Sequence, residues 1–293
     1  MNDSPAASGF SVAVVGFGAI GAPMAQRLAA HGHTVRAVDP NPDARARAAG
    51  AGLAAVAELA ALPTTDVVLV LVATGEQLLQ TAKAACERRR DGETWIISST
   101  TGPQAARDAA ALLAEAGAVV IDAPVTGGVP GAERGQLRFL TAGPDGAIDD
   151  KAAIFAALGT VVRVSERPGD GQSTKLVNQL CSSVHLAAAA EAVALASRLG
   201  LDPAKTVEVI SGGSGASWFF DERGPRMARP DDQHDVLTRL AILAKDNGLV
   251  EQEAETCQAH VPLLKAAKSQ YARAAELGLL EHDDSMLVRT YLS

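Results

Sequence analysis

Aromatic residues are scarce in this chain. Two Trp, two Tyr and six Phe make up 3% of 293 residues. The cores implied by a hydrophobic content of 47% must therefore rest on Ala, Val and Leu. Cysteine is as sparse: Cys86, Cys181 and Cys257 stand far apart and match no metal-ligand spacing. They read as small buried or half-buried thiols in a reducing compartment, and no metal is expected. Basic stretches are also lacking. The net charge is −8, with 34 acidic against 26 basic residues. Arg88-Arg89-Arg90 is the only basic cluster and reads as a solvated helix end. With no basic stripe to release counterions from phosphates, a nucleic-acid partner is not expected. No apolar run reaches the roughly 18 residues of a membrane span without a polar or charged break. The first nine residues carry neither a basic nor an apolar leader-like region. The expectation is a cytoplasmic protein without a membrane partner.

What the chain does have begins at Ser11. An apolar run, Ser11-Val-Ala-Val-Val, opens through Gly16, Gly18 and Gly21 into a helical pattern. In a G-x-G-x-x-G turn the first glycine allows a tight strand-to-helix bend. The second lets backbone approach a pyrophosphate, and the third lets helix pack on strand. The helix N-terminus then offers unpaired N–H groups to phosphate. The next apolar run, Thr34-Val-Arg-Ala-Val, ends at Asp39. That is the position, about 20 residues on, where an acid meets a ribose hydroxyl. Its carboxylate would repel a 2′-phosphate, and Pro40, Asn41 and Pro42 supply no arginine to receive one. Arg45 and Arg47 are expected to point outward on a helix. The pattern predicts NAD, with NADP the less favoured cofactor.

At this length about two domains are expected. Strands are predicted at Val12–Val15, Val35–Val38, Val67–Val72, Thr94–Ile97, Val119–Ile121, Arg138–Thr141 and Val161–Val164. The early ones alternate with alanine-rich helical segments at Pro23–Ala30, Glu76–Arg88 and Gln104–Ala114. Alternating β and α units with continuous apolar strands predict a mostly parallel sheet covered on both faces, the Rossmann arrangement. After about residue 165 the breaker cluster Pro168-Gly-Asp-Gly leads into one long helix, Gln172–Leu199, closed by Gly200. Further helices follow at Pro203–Ser211, Val236–Gln258, Val261–Glu276 and Ser285–Tyr291. The predicted organisation is α/β: a dinucleotide-binding domain over 1–166, then an all-α domain over 167–293 led by that connecting helix.

Lys175 is the candidate proton carrier. The spacing puts it in the first turn of the long helix, where the positive helix end disfavours an ammonium and a lysine becomes a better base. Asn178 and Gln179 follow at i+3 and i+4 on the same face. A second candidate is the segment Asp122-Ala-Pro-Val-Thr-Gly-Gly-Val-Pro-Gly-Ala, at the end of a predicted strand. There Thr126, Gly127 and Gly128 present a hydroxyl and successive N–H groups suited to a carboxylate. A plain loop of several turns is the alternative.

These pieces together resemble the β-hydroxyacid dehydrogenase family, which includes 3-hydroxyisobutyrate dehydrogenases, nearly end to end. Gly16-Phe17-Gly18-Ala19-Ile20-Gly21-Ala-Pro-Met-Ala is similar to the family's cofactor signature. The Asp122 segment resembles its substrate motif, with Thr126 where serine is more usual. Gly169-Asp-Gly-Gln-Ser-Thr-Lys-Leu-Val-Asn-Gln resembles its catalytic motif and implies that Lys175 is the catalytic lysine. The resemblance further implies that Val72, Ala73, Gln77 and the Ser99-Thr100 pair edge the cofactor site. It places Lys245 near the cofactor and Trp218 at the substrate. A hydroxy acid would bind between domains, its carboxylate on Thr126, Gly127 and Gly128, and dimers or tetramers are implied.

Two departures stand out. Gln179 replaces the family's usual asparagine, and Ser98 replaces an aspartate. The segment Lys175-Leu-Val-Asn-Gln-Leu, then His185-Leu-Ala-Ala-Ala-Ala-Glu-Ala, resembles the L-threonate dehydrogenase branch, implying a four-carbon sugar acid as substrate. A 3-hydroxyisobutyrate-type dehydrogenase, a semialdehyde reductase and a non-catalytic NAD-binding sensor are the alternatives. His185 is read as packing or interface. The alanine-rich face of Val184–Ala196 suits either a subunit interface or a core.

Overall fold

The computed structural model describes residues 9–232 and 234–292. Residues 1–8, on which the expectation about a leader falls, lie outside the described residues. The chain divides into two compact units, Met1–Lys175 and Leu176–Ser293. The boundary falls within a helix, later than the expected break at 166.

The first unit is built on a sheet of nine strands: β1 (Ser11–Val15), β2 (Thr34–Val38), β3 (Ala54–Val56), β4 (Val67–Val70), β5 (Thr94–Ile97), β6 (Val119–Asp122), β7 (Val125–Thr126), β8 (Leu137–Ala142) and β9 (Gly159–Ser165). Their order is β3-β2-β1-β4-β5-β6-β8-β7, with β9 on β8. All pairs from β3 to β6 are parallel. β8 runs antiparallel to β6 and β7, and β9 is parallel to β8. The helices are α1 (Gly21–Ala30), α2 (Pro42–Gly50), α3 (Gly75–Ala85), α4 (Pro103–Glu115), α5 (Gly128–Arg134), α6 (Asp145–Asp150) and α7 (Ala152–Leu158). Run 3-2-1-4-5-6, the parallel strands form the Rossmann order, whose direction reverses between β1 and β4. A crevice for ligands opens there at the strands' carboxyl ends.

Continuous apolar strands were the main sequence signal, and the packing explains them. Val12, Val14, Leu69, Ile96 and Ile121 enter one buried cluster with Met24, Leu28 and Phe155. Their neighbours Ala13, Val15, Val68, Val70, Trp95 and Ile97 enter another with Leu78 and Leu113. Both faces are buried, so side-chain alternation leaves no polar face. Arg90 does not behave as a solvated helix end. It is 1% exposed, donates to Ala85 O (2.7 Å) and pairs with Glu93 (3.4 Å). Glu93 also accepts from Trp95 Nε1 at 3.0 Å. Arg88 donates to Leu62 O at 2.7 Å, and Arg89 pairs with Asp91. Of the cysteines, Cys86 is half-buried, whereas Cys181 and Cys257 are exposed rather than buried.

The second unit takes in most of α8 (Asp170–Arg198), then α9 (Pro203–Ile210), α10 (Trp218–Met227), α11 (Leu240–Thr256), α12 (Pro262–Glu276) and α13 (Arg289–Leu292), with a short 3-10 helix at Asp284–Val288. Leu186, Ala190 and Val193 of α8 recur at helical spacing and are buried with Phe220, Leu243, Tyr271 and Leu287. The alanine-rich face is thus core within this unit. By length and composition α8 would suffice to cross a membrane, but the burial of this face is what a core helix shows. His185 is exposed. The helix stops where Gly200 takes a positive φ of 74° and Leu201 N donates back to Ala196 O at 3.0 Å.

Candidate active site

The glycine turn is shaped by contacts that only glycine permits. Gly16 has φ of +97°, and its N–H donates to Val38 O at 2.9 Å. A Cβ on Gly21 would stand 2.0 Å from Gly16 O, so α1 starts directly against the turn. A Cβ on Gly18 would meet nothing within 4 Å. That open face is what a dinucleotide needs in order to approach the backbone. Phe17 is buried beneath the turn, while Gly18 and Ala19 are exposed and Ile20 is half-buried.

Asp39 follows β2 and is held at both oxygens. Oδ2 accepts from Phe17 N at 2.8 Å, and Oδ1 accepts from Asn41 N at 2.9 Å. The acid therefore serves as a turn residue and also ties the glycine loop to β2. Arg45 and Arg47 do not point away. Arg45 Nη1 donates to the carbonyls of Asp39 (2.9 Å) and Pro40 (2.7 Å), and Arg47 Nη2 reaches Phe17 O at 3.4 Å. Carbonyls after β2 draw in Arg45 and one in the glycine turn draws in Arg47, which helical periodicity alone does not reveal.

After β4, Gln77 on α3 folds back so that its Oε1 accepts from Ala73 N at 2.9 Å. Thr74 caps the same helix by accepting from Gln77 N at 3.2 Å. Val72, Ala73 and Gln77 thus form one closed turn at the sheet's carboxyl edge. Thr100 lies in the loop after β5, beside the buried Ser98, Ser99 and Thr101. Thr126 ends β7. Gly127 and Gly128 follow with φ of +121° and +61° and lead into α5, a helix where a loop was the alternative.

Lys175 is 8% exposed. α8 begins at Asp170, so the lysine sits in the second turn, one turn deeper than expected, where the field of the helix end has largely faded. Beneath it lies a cluster that sequence reasoning left without a role. Asp122, at the end of β6, and Gln172 are both 0% exposed. Asp122 Oδ2 accepts from Gly169 N (2.9 Å) and Gln172 N (3.0 Å), and its Oδ1 accepts from Gln172 Nε2 (3.0 Å). Gln172 Nε2 also donates to Ser99 O at 2.9 Å, and its Oε1 accepts from Thr101 N (3.0 Å) and Gly102 N (3.3 Å). Burial pushes the Asp122 carboxyl up to about 6, against the opposing pull of these donors. An acid ending an apolar strand, with a glycine pair before the next long helix, was the available signal.

In the second unit Gln179 is 6% exposed, and its Nε2 donates to Asp246 Oδ2 at 2.5 Å. Lys245 pairs with the same carboxylate at 3.2 Å. Asn178 Nδ2 donates to Gln179 Oε1 at 2.9 Å and to Ser182 Oγ at 3.3 Å. Asn178, Gln179 and Lys245 therefore belong to one chain of polar contacts. Trp218 stands apart from it at the start of α10. It is 60% exposed, edge-on to Phe219, with the Arg223 guanidinium 5.2 Å from its ring centre.

A Rossmann sheet whose reversal point carries this glycine turn, with an acid directly after β2, is the frame of a nicotinamide-dinucleotide oxidoreductase. Residues 11–165 match the family model of the NAD-binding domain of 6-phosphogluconate dehydrogenase, and residues 169–291 match that of NADP-dependent 3-hydroxyisobutyrate dehydrogenase. The chain belongs to the β-hydroxyacid dehydrogenase family, and it is a hydroxyacid dehydrogenase. It is 36% identical over 286 residues to L-threonate dehydrogenase of Cupriavidus necator, covering 96% of each chain. A probable 3-hydroxyisobutyrate dehydrogenase of Mycobacterium bovis is 31% identical, with 90% of this chain and 92% of that one covered. Among solved structures, 3-hydroxyisobutyrate dehydrogenase of Salmonella typhimurium superposes with a TM-score of 0.84 at 30% identity, covering 96% of this chain and 99% of that one.

Proposed function

We propose that this enzyme oxidises a four-carbon sugar acid such as L-threonate with NAD, and that Lys175 is its general base. The observation that carries this reading is the burial of Lys175 one turn beyond Gln172, whose amide grips the loop bearing Thr100. A bound nicotinamide would supply the acceptor for the hydride of the carbinol carbon. Gly16, Phe17, Gly18, Ala19, Ile20 and Gly21 would hold its phosphates, Asp39 its adenosine ribose, and Val72, Ala73, Gln77, Thr100 and Lys245 the remaining edge. Asp39 supports NAD over NADP, because a carboxylate there repels a 2′-phosphate.

Thr126, with the N–H groups of Gly127 and Gly128, suits the substrate carboxylate, whose charge successive amides and a hydroxyl stabilise. Neutral Lys175 accepts the hydroxyl proton as the carbinol becomes a carbonyl, and the same residue returns it in the reductive direction. Asn178 and Gln179 supply amides for further hydroxyls, and Trp218 a wall for the substrate. The identity to L-threonate dehydrogenase supports a sugar acid. We further propose a cytoplasmic homodimer or homotetramer.

Formation of reduced cofactor on L- and D-threonate, D-erythronate, D-glycerate, 3-hydroxyisobutyrate and serine, NADH from NAD and NADPH from NADP, tests this reading. Turnover of a tetronate with NAD, abolished in Lys175→Ala, is the expected result. Turnover of 3-hydroxyisobutyrate alone keeps the lysine and overturns the sugar acid. NAD binding without any turnover points to aldehyde reduction or to a sensor.

A further inference from the structure

We propose that Asp122, as a carboxylate, acts with Gln172 as a positioning pair that sets the turn of α8 bearing Lys175 against the loop bearing Thr100. The proposal rests on the reading of Lys175 as base. Three segments converge on this pair: the end of β6, the start of α8 and the β5–α4 loop. No substrate or cofactor contact is asked of either residue. Their part is to fix where Lys175 and Thr100 stand.

The hydrogen-bond pattern suits the carboxylate. Asp122 receives three N–H donors, from Gly169 N, Gln172 N and Gln172 Nε2, and a carboxylate accepts all of them. A protonated acid would turn an O–H toward one of those donors. Gln172 is unable to compensate by flipping its amide. Its Oε1 faces the N–H groups of Thr101 and Gly102, and its Nε2 faces Ser99 O. Reversing it would set donors on donors and an acceptor on an acceptor. Three backbone groups thus lock the glutamine, and the locked glutamine presents its N–H to the acid, which a carboxylate receives best.

The fit leaves little slack. A Cβ on Gly171 would stand 2.5 Å from Leu140 O and 2.9 Å from Asp122 Oδ2, so α8 begins pressed onto the ends of β6 and β8. Beside the start of α8, Arg107 of α4 lies against Gly169, with Arg167, Asp170 and Lys175 on the α8 side; the packed elements also carry Asp108 and Glu115 on α4 and Arg138 on β8. Asp170 is bound by Ser165 and Arg167, which hold its carboxyl below the usual range. It does not titrate where Asp122 does, at about 6.

The sign separates positioning from stability. The folded value of Asp122 lies above its unfolded one, so protonation favours the folded chain and no stability is lost from this group as pH falls through about 6. Activity behaves oppositely, since the protonated form releases the start of α8. A carboxyl that merely held the fold together would not show this split.

The full-length enzyme with NAD and L-threonate as probes provides the test, in wild type, Asp122→Asn, Gln172→Glu and Lys175→Ala. The wild-type kcat is expected to fall on the acid side through about pH 6 while Tm holds. Asp122→Asn is expected to lower kcat between about 10- and 100-fold, the scale of a small misplacement at a reacting centre. It should also lose the limb near pH 6 that Asp122 contributes, leaving that of the base Lys175, and speed amide hydrogen exchange in 99–102 and 169–175, with KM for NAD changed less than about threefold. An unchanged kcat, an acid limb identical to that of wild type in Asp122→Asn, or unchanged exchange overturns the proposal. Should Asp122→Asn fail to fold, Gln172→Glu and the wild-type pH profile decide by the same criteria. If Lys175→Ala retains turnover, or L-threonate is not turned over, it is the lysine or substrate reading that fails. Exchange in 99–102 and 169–175 then decides alone, faster exchange supporting the clamp and unchanged exchange overturning it.

Discussion

Arg45 donates through Nη1 to the carbonyl oxygen of Asp39 at 2.9 Å, so a guanidinium lies directly behind the acid proposed to select NAD. Removing the carboxylate therefore changes the local balance of charge. For Asp39→Ser, kcat/KM with NAD is expected to drop roughly 10- to 100-fold, the loss of a hydrogen bond to a charged group. NADP should become usable. Adding Arg45→Ala should abolish the new NADP activity while moving the NAD constants little. Steady-state kinetics with both cofactors checks this.

Gly21 touches the turn it follows. Gly21→Ala places a Cβ 2.0 Å from Gly16 O, backbone against backbone, with no flexible atom to yield. NADH binding, followed by fluorescence titration, is expected to weaken by at least about tenfold, because a 1 Å shift of a binding turn has effects of that order. A variant that binds NADH as tightly as wild type would show that the turn adapts.

Arg90 and Glu93 are each 1% exposed at the side chain. Arg90→Ala leaves a buried carboxylate short of its cation and should cost about 3–5 kcal/mol. Denaturant unfolding measures it. A loss below about 1 kcal/mol would mean that Thr65 N and Trp95 Nε1, which also donate to Glu93, suffice.

Gln179 is the departure from the family's usual asparagine, and it is engaged by Asp246 at 2.5 Å. Gln179→Leu should destabilise the protein by about 1–3 kcal/mol, because the buried carboxylate loses a donor. If Gln179 also meets substrate, KM for the sugar acid rises as well. A fall in Tm with unchanged KM would confine it to supporting Asp246.

The sheet was legible because buried parallel strands write themselves as unbroken apolar runs, as in Val67–Val70. β3 carried no such mark: Ala-Ala-Val is three residues long, and alanine signals helix. α10 was passed over because Pro225 interrupts its pattern. The glycine turn was legible because a tight strand-to-helix bend demands glycine at particular spacings. The role proposed for Lys175 rests instead on the family resemblance, since a lysine on a helix is unremarkable by spacing alone. The inward courses of Arg45, Arg47 and Arg90 were not found, since each depends on which carbonyl or carboxylate the fold leaves nearby. Asp122 and Gln172 lie 50 residues apart, and only the closure of β6 onto the start of α8 makes them partners.

The scarcity of aromatics has an optical consequence. The chain holds two tryptophans, one in each compact unit: Trp95 is fully buried with its indole N–H on Glu93, and Trp218 is largely exposed. Emission from the first should be blue-shifted and shielded from acrylamide, and from the second red-shifted and readily quenched. Each unit thus carries its own natural fluorophore, and Trp218→Phe would leave a single-tryptophan protein whose spectrum follows the cofactor-binding half alone.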